Sequence, residues 1–170
     1  MRRRTNFKFS SMTQLATWGP LFWRVLHTIA EQVGKNKPPF MQADEVGRWI
    51  VFMKTVGGSL PCAVCREHYQ AALKKYPLGD LATLRGPTFR TAAKRWVWGL
   101  HEDVNGRKNL VGITYEDLEE KYKYTRDFSA TVEALIKELK EGVSAGQVRA
   151  DLTWDFRRQL LYIRKLTDSV

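Results

Sequence analysis

Cys62 and Cys65 are the only cysteines in the chain. They stand two residues apart in the stretch Leu60-Pro61-Cys62-Ala63-Val64-Cys65-Arg66-Glu67-His68-Tyr69. A pair at this spacing can close into a small disulfide and open again, which makes it a two-electron switch. It can also offer two thiolates to zinc, with His68 and either His27 or His101 completing a tetrahedral set. A third reading, two buried structural thiols, accounts poorly for a pair that is alone in the chain and one helical turn apart at a helix start. Pro61 predicts that start, and the helix should run through Tyr76 to the break at Pro77 and Gly79. At a helix N-terminus the unpaired N–H groups and the macrodipole favour a thiolate, and Arg66 and His68 add positive field, so redox chemistry is the reading preferred over zinc.

A redox switch needs an electron acceptor. A thioredoxin-like setting would place the pair among βαβ strands, and period-two alternation is scarce in this sequence. Two polar-aromatic strips suggest another kind of acceptor. Trp23 and His27 are four apart on one helix, and Trp98, His101 and Asn105 fall three and four apart on another, so each set shares a face. Indole, imidazole and amide groups on two helices suit stacking on and hydrogen-bonding a flat heteroaromatic ligand.

The elements that must position these groups read as helices. Thr17-Trp18-Gly19-Pro20 predicts a helix start capped by Thr17, followed by Phe22, Val25, Leu26, Ile29 and Val33 at helical spacing. A second helix is expected from about Asp44 to Val56, with Val46, Trp49, Ile50 and Met53 inward and Gly57-Gly58 as its stop. A fourth, from near Pro87, carries Phe89, Ala92, Trp96, Leu100 and Val104 as far as Asn105-Gly106. Thr114 caps a short fifth helix with acids in its first turn. Residues 128–141 and 153–167 add two more, with apolar stripes through Leu135, Ile136, Leu139 and through Phe156, Leu160, Leu161, Ile163. The expected architecture is all-α: a four-helix bundle plus a short fifth helix, with a C-terminal helical extension. The divisions are a basic N-terminal segment (1–13), the bundle (14–125) and the extension (126–170).

The 170 residues carry a formal net charge of +10. Residues 126–170 hold eight basic against seven acidic residues, and residues 1–125 hold 20 against 11, so the excess sits on the bundle. Such a surplus fits an acidic partner, nucleic acid or a phosphate-bearing cofactor. The Met1-Arg2-Arg3-Arg4 start has no apolar run behind it, and no stretch is long and apolar enough to span a bilayer, so a soluble, cytoplasmic chain is expected.

The motifs Trp18–His27 (WGPLFWRVLH), Leu60–Tyr69 (LPCAVCREHY), Arg95–Asn105 (RWVWGLHEDVN) and the tyrosine of Glu119–Tyr122 (EEKY) come in an order that resembles the Erv/ALR family of FAD-linked sulfhydryl oxidases. The resemblance spans about residues 14–124, and its C-x-x-C-x-x-H and WVW forms look closest to quiescin-type and viral members. It implies a helical bundle binding FAD with the redox disulfide set against the flavin. Cys62 would face the substrate and Cys65 the flavin. Trp18, Trp23, His27, His68, Trp96, Trp98, His101 and Asn105 would contact the cofactor, with Lys108 standing in for a phosphate-binding lysine and Tyr122 on the adenine side. The implied reaction joins two thiols of a protein substrate, or of a relay dithiol protein, and reduces oxygen to hydrogen peroxide. A homodimer paired through the first two helices is also implied, as is a viral source acting in host cytoplasm or virion. One departure is Glu102, which replaces the first asparagine of the family's H-N-x-V-N pattern. No cysteine remains for a shuttle pair on a flexible tail. The alternative of another class is a zinc-stabilised binding module that uses Arg85, Arg90, Lys94 and Arg95 toward nucleic acid and Trp96 and Trp98 to stack bases.

Overall fold

The computed structural model describes residues 13–35, 37–123 and 129–168. The first twelve residues, the expected helix start at 128 and the expected boundary at 125/126 lie outside them. Among the described residues there are seven α-helices and no strand: α1 Leu15–Gln32, α2 Pro39–Ser59, α3 Ala63–Lys75, α4 Gly86–Arg107, α5 Tyr115–Tyr122, α6 Ser129–Ser144 and α7 Ala150–Asp168, with a 3-10 turn at Leu78–Leu81.

The stripe expected on α1 is buried in full: Phe22, Val25, Leu26, Ile29 and Val33 all face the core. Its cap is not Thr17. The helix starts at Leu15 with Gln14 as N-cap, whose carbonyl accepts from the Thr17 and Trp18 N–H groups at 2.9 and 3.1 Å. Pro20 therefore lies inside the helix rather than in its first turn. α2 begins five residues earlier than expected, with Pro39 at its first position, where the missing N–H costs nothing.

Gly57 and Gly58 do not end α2, which runs on to Ser59. They are close-approach sites. A Cβ on Gly57 would lie 2.8 Å from Tyr69 Cδ1, and one on Gly58 would lie 3.3 Å from Leu152 Cδ1, so the glycines let α3 and α7 pack against α2. Tyr69 then donates its hydroxyl to the Met53 carbonyl at 2.6 Å, which ties α3 to α2 and sets the angle at which the cysteine-bearing turn leaves α2.

The inward stripe of α4 is rotated by one residue from the expected one. Phe89, Ala93, Val97 and Leu100 are buried, while Ala92 and Trp96 lie at its flank. The fifth helix follows expectation: Thr114 Oγ1 accepts from the Asp117 N–H at 3.1 Å, with Glu116 and Asp117 in the first turn.

The C-terminal helices share the core of the bundle. α7 lies along α2 and α6 along α1. Phe156 wedges between the two, with ring centroids 5.3 Å from Phe22 and 5.7 Å from Phe52. Val132, Leu135, Leu139, Leu160 and Ile163 continue the same apolar cluster. Leu161, expected in this stripe, is exposed.

Candidate functional site

Cys62 and Cys65 are joined as a disulfide. Cys62 is the N-cap of α3: its backbone is extended, and its sulfur accepts the Cys65 N–H at 3.1 Å. α3 itself opens at Ala63, since Pro61 and Cys62 belong to the turn that follows α2. Both sulfur-bearing residues are partly exposed and pack against the core cluster. The zinc alternative requires two free thiolates, and here each sulfur is bonded to the other.

The disulfide opens onto a cleft of about 360 Å³, within the range that encloses a flat organic ligand. Its walls are apolar, from Leu26, Val56, Leu60, Leu100 and Val104, and Trp18, Trp23 and His68 add flat rings. Arg107 and Lys108 supply positive charge at its edge. Asp103 also borders it, and its carboxyl is held below the usual carboxylate range by Arg107 at 3.0 Å, with Lys75 at 3.5 Å contributing. Of these positions, Trp18, Trp23, His68 and Lys108 were among the expected cofactor contacts, and sequence reasoning missed the aliphatic walls, Asp103 and Arg107. Leu26, Leu100 and Val104 were legible only as core residues, although Leu100–Val104–Lys108 repeat at the four-residue helical spacing that puts them on one face.

Beside the cleft, the second group of expected residues is brought together ring on ring. Trp23 stacks on His101 at 3.9 Å between centroids and 9° between planes. His101 Nδ1 and His27 Nε2 are 3.0 Å apart, and Tyr122 of α5 stacks on His27 at 4.9 Å between centroids. One imidazole must donate and the other accept, so the pair is suited to the neutral state. Burial pushes His27 down to about 3, helped by the neighbouring His101 and Lys121. Burial likewise pushes His101 down to about 4, with Glu102 opposing and Lys121 assisting.

Asn105 and the departure at Glu102 explain each other. Glu102 Oε1 accepts from Asn105 Nδ2 at 3.2 Å and from the Ile113 N–H at 3.0 Å, so the carboxylate takes up the loop after α4. Gly112 closes against that carboxylate, so a side chain there would have to displace the Glu102 carboxylate.

Two expected cofactor contacts are employed elsewhere. Trp98 Nε1 donates to the Ile113 carbonyl at 2.9 Å, and its ring meets Tyr115 edge-on. Trp96 Nε1 donates to the Tyr76 carbonyl at 3.1 Å, and its ring meets Trp49 and Tyr69 edge-on. Neither lines the cleft. The basic residues read toward nucleic acid are likewise occupied in part. Glu31, buried in α1, pairs with Arg90 at 2.7 Å and Lys94 at 2.8 Å, and Lys94 also meets Glu119 of α5.

Residues 20–123 match the model of the Erv1 / Alr family. Proteins named FAD-linked sulfhydryl oxidase from two isolates of African swine fever virus (Pig/Kenya/KEN-50/1950 and Tick/Malawi/Lil 20-1/1983) are each 33% identical to the chain over 107 residues. That alignment covers 62% of this chain and 80% of the viral protein. The protein of the same name from the Warthog/Namibia/Wart80/1980 isolate is 32% identical over the same shares. No solved structure matches the chain.

Proposed function

The chain belongs to the Erv1 / Alr family, and on that premise we propose that it is an FAD-linked sulfhydryl oxidase, which joins two thiols of a protein substrate into a disulfide and reduces oxygen to hydrogen peroxide. The observation that carries this reading is the Cys62–Cys65 disulfide opening directly onto an apolar cleft with ring-bearing walls.

The residues present fit the cofactor. The apolar walls and the rings of Trp18, Trp23 and His68 suit an isoalloxazine, and Arg107 and Lys108 suit phosphate. His27, His101 and Tyr122 supply further flat surface and imidazole nitrogens toward an adenine. Asn105, held by Glu102, is part of the same proposed set.

A substrate thiolate attacks Cys62, the disulfide breaks, and Cys65 leaves as thiolate while a mixed disulfide forms on Cys62. A second substrate thiolate attacks the substrate sulfur of that mixed disulfide, which releases oxidised substrate and leaves both cysteines reduced. The capping position of Cys62 puts the departing or arriving negative charge against the unpaired N–H groups of α3. Bound FAD supplies the acceptor for the electron pair of the reduced cysteines and its delivery to oxygen.

Electrons would enter at Cys62 directly from a thiol protein or from a relay dithiol on another chain, since this sequence holds no cysteines besides Cys62 and Cys65. A cytosolic setting is part of the proposal, and no helix among the described residues is long and apolar enough to cross a membrane. A homodimer would have to pair through a surface other than the Phe22–Phe52 face of α1 and α2, which Phe156 covers. Sedimentation of the full chain reads that state.

The purified chain should be yellow, with a flavin band near roughly 450 nm, and should consume oxygen when given a dithiol. Cys65→Ser should keep the colour and lose the oxygen uptake. A colourless protein, or a yellow Cys65→Ser variant that still turns over, overturns the reading.

A further inference from the structure

α6 lies beyond the family match, and its end reaches back to the redox turn. The helix closes on Gly146, whose φ is +72°. The Gln147 N–H donates to the Gly142 carbonyl at 2.8 Å and the Gly146 N–H to the Val143 carbonyl at 3.0 Å. These are the paired six-to-one and five-to-two bonds of a helix terminated by a left-handed residue. The reversal turns Gln147 toward the start of α1. Its side chain accepts the Thr13 N–H at 3.0 Å and donates to the Thr13 carbonyl at 3.1 Å, so one amide grips one residue from both sides. Gly142 meets Pro61 directly: a Cβ there would lie 3.4 Å from Pro61 Cβ.

The main-chain carbonyl of Gln147 accepts from Arg66 Nη1 at 3.1 Å, and the same Nη1 donates to the Leu60 carbonyl at 2.6 Å. Arg66 follows Cys65, and Leu60 precedes Pro61 and Cys62. One guanidinium nitrogen thus bridges the backbone on both sides of the redox turn to a carbonyl 81 residues away. Its hydrogen bonds are spent on carbonyl oxygens, so beyond its charge the residue has a geometric task.

We propose that the C-terminal end of α6 is a clamp for the redox turn, with Gln147 acting through Arg66 as positioning residues that hold Leu60–Cys62 so that the Cys62 sulfur caps α3. The proposal rests on the oxidase reading for the turn's task, but the clamp is measurable without flavin or oxygen.

The test reduces the full chain, alkylates it with iodoacetamide at about pH 7, and reads Cys62 by mass spectrometry beside the melting temperature. Arg66→Gln and Gly146→Ala should each slow alkylation of Cys62 by about fivefold, since a sulfur moved off the helix end loses thiolate character. The double variant should be no slower than either single one, because both act through one contact. Gly146→Asn should restore the rate, as asparagine tolerates a positive φ. If Gly146→Ala melts below the assay temperature, Gln147→Ala releases the loop from Thr13 without backbone strain and should slow the reaction about twofold by the same loss.

Slowing by Arg66→Gln with wild-type rates in Gly146→Ala or Gln147→Ala would show that Arg66 acts by charge alone, and the clamp is wrong. Multiplying effects in the double variant would also overturn it. A chain that shows the clamp in alkylation yet binds no flavin and takes up no oxygen sinks the oxidase reading and leaves the clamp standing.

Discussion

The seam between α1 and α4 has two ends of opposite character. At the α3 end, Leu26, Leu100 and Val104 stand back from one another and leave an apolar cleft beside the disulfide. At the α5 end, the rings of Trp23, His101, His27 and Tyr122 close on each other, and next to them Glu31, Lys94, Arg90 and Glu119 form a largely buried ionic network. The same two helices make both. The difference lies in the third partner: α5 brings a tyrosine and a carboxylate that fill the space, whereas the turn into α3 brings two sulfurs and a half-exposed histidine. The first end leaves space for a flat ligand, and the second joins three helices through the rings proposed to flank the adenine. Trp23 belongs to both, lining the cleft while stacking on His101.

If the ends differ in this way, damage to each should read out in a different measurement. The largest effect is expected from Val104→Trp. An indole in the cleft should take flavin content from stoichiometric to undetectable, while the melting temperature stays within a few degrees of the parent, because nothing needs to be emptied to accommodate it. Flavin retained in that variant would place the ligand elsewhere.

Lys94→Met makes the reverse prediction. Removing the ammonium leaves the buried Glu31 carboxylate with Arg90 alone, which should cost about 2 kcal/mol in urea unfolding, the loss of one charged hydrogen bond rather than of every partner. Folded protein should still be yellow. Unchanged stability would mean that the network holds nothing together.

The smallest effect is in pH. Below 6.5 the unfolded chain protonates both imidazoles, whereas folded His101 waits until about 4 and His27 until about 3. The unfolded state therefore binds more protons in that window, and stability falls as pH drops through it. Urea midpoints at about pH 7 and about pH 5 should show the loss, His101→Asn should reduce it, and the double variant His27→Asn with His101→Asn should flatten it. A slope that survives in the double variant assigns it to other groups.

What could be read from the sequence divides along the same line. The periodic stripes of α1 and α6, that of α7 apart from Leu161, and the cap at Thr114 were legible because each is decided within a turn or two of chain. The stops assigned to Gly57 and Gly58 were not. A glycine that admits Tyr69 or Leu152 looks the same in a string of letters as one that ends a helix. Which candidate groups lie together was legible where residue type sufficed: Cys62 with Cys65 in one disulfide, and Trp23 with His27 and His101 ring against ring. Trp96 and Trp98 share the motif, yet their indole N–H groups found the carbonyls of Tyr76 and Ile113, partners set by loop paths that no local pattern encodes. Glu102, which looked like a lost contact, became the anchor of the loop that follows.

The placement of Phe156 has a consequence for synthesis. A chain emerging from the ribosome delivers every residue of the family-matched segment before α7 exists, so Phe22 and Phe52 leave the ribosome with no Phe156 ring to cover them. The sulfurs can meet early, but the hydrophobic interior around them closes only after translation has passed Ile163. Premature termination between those points yields a polypeptide with all its chemistry and an unfinished body, which is the kind of product that chaperones retain and proteases remove.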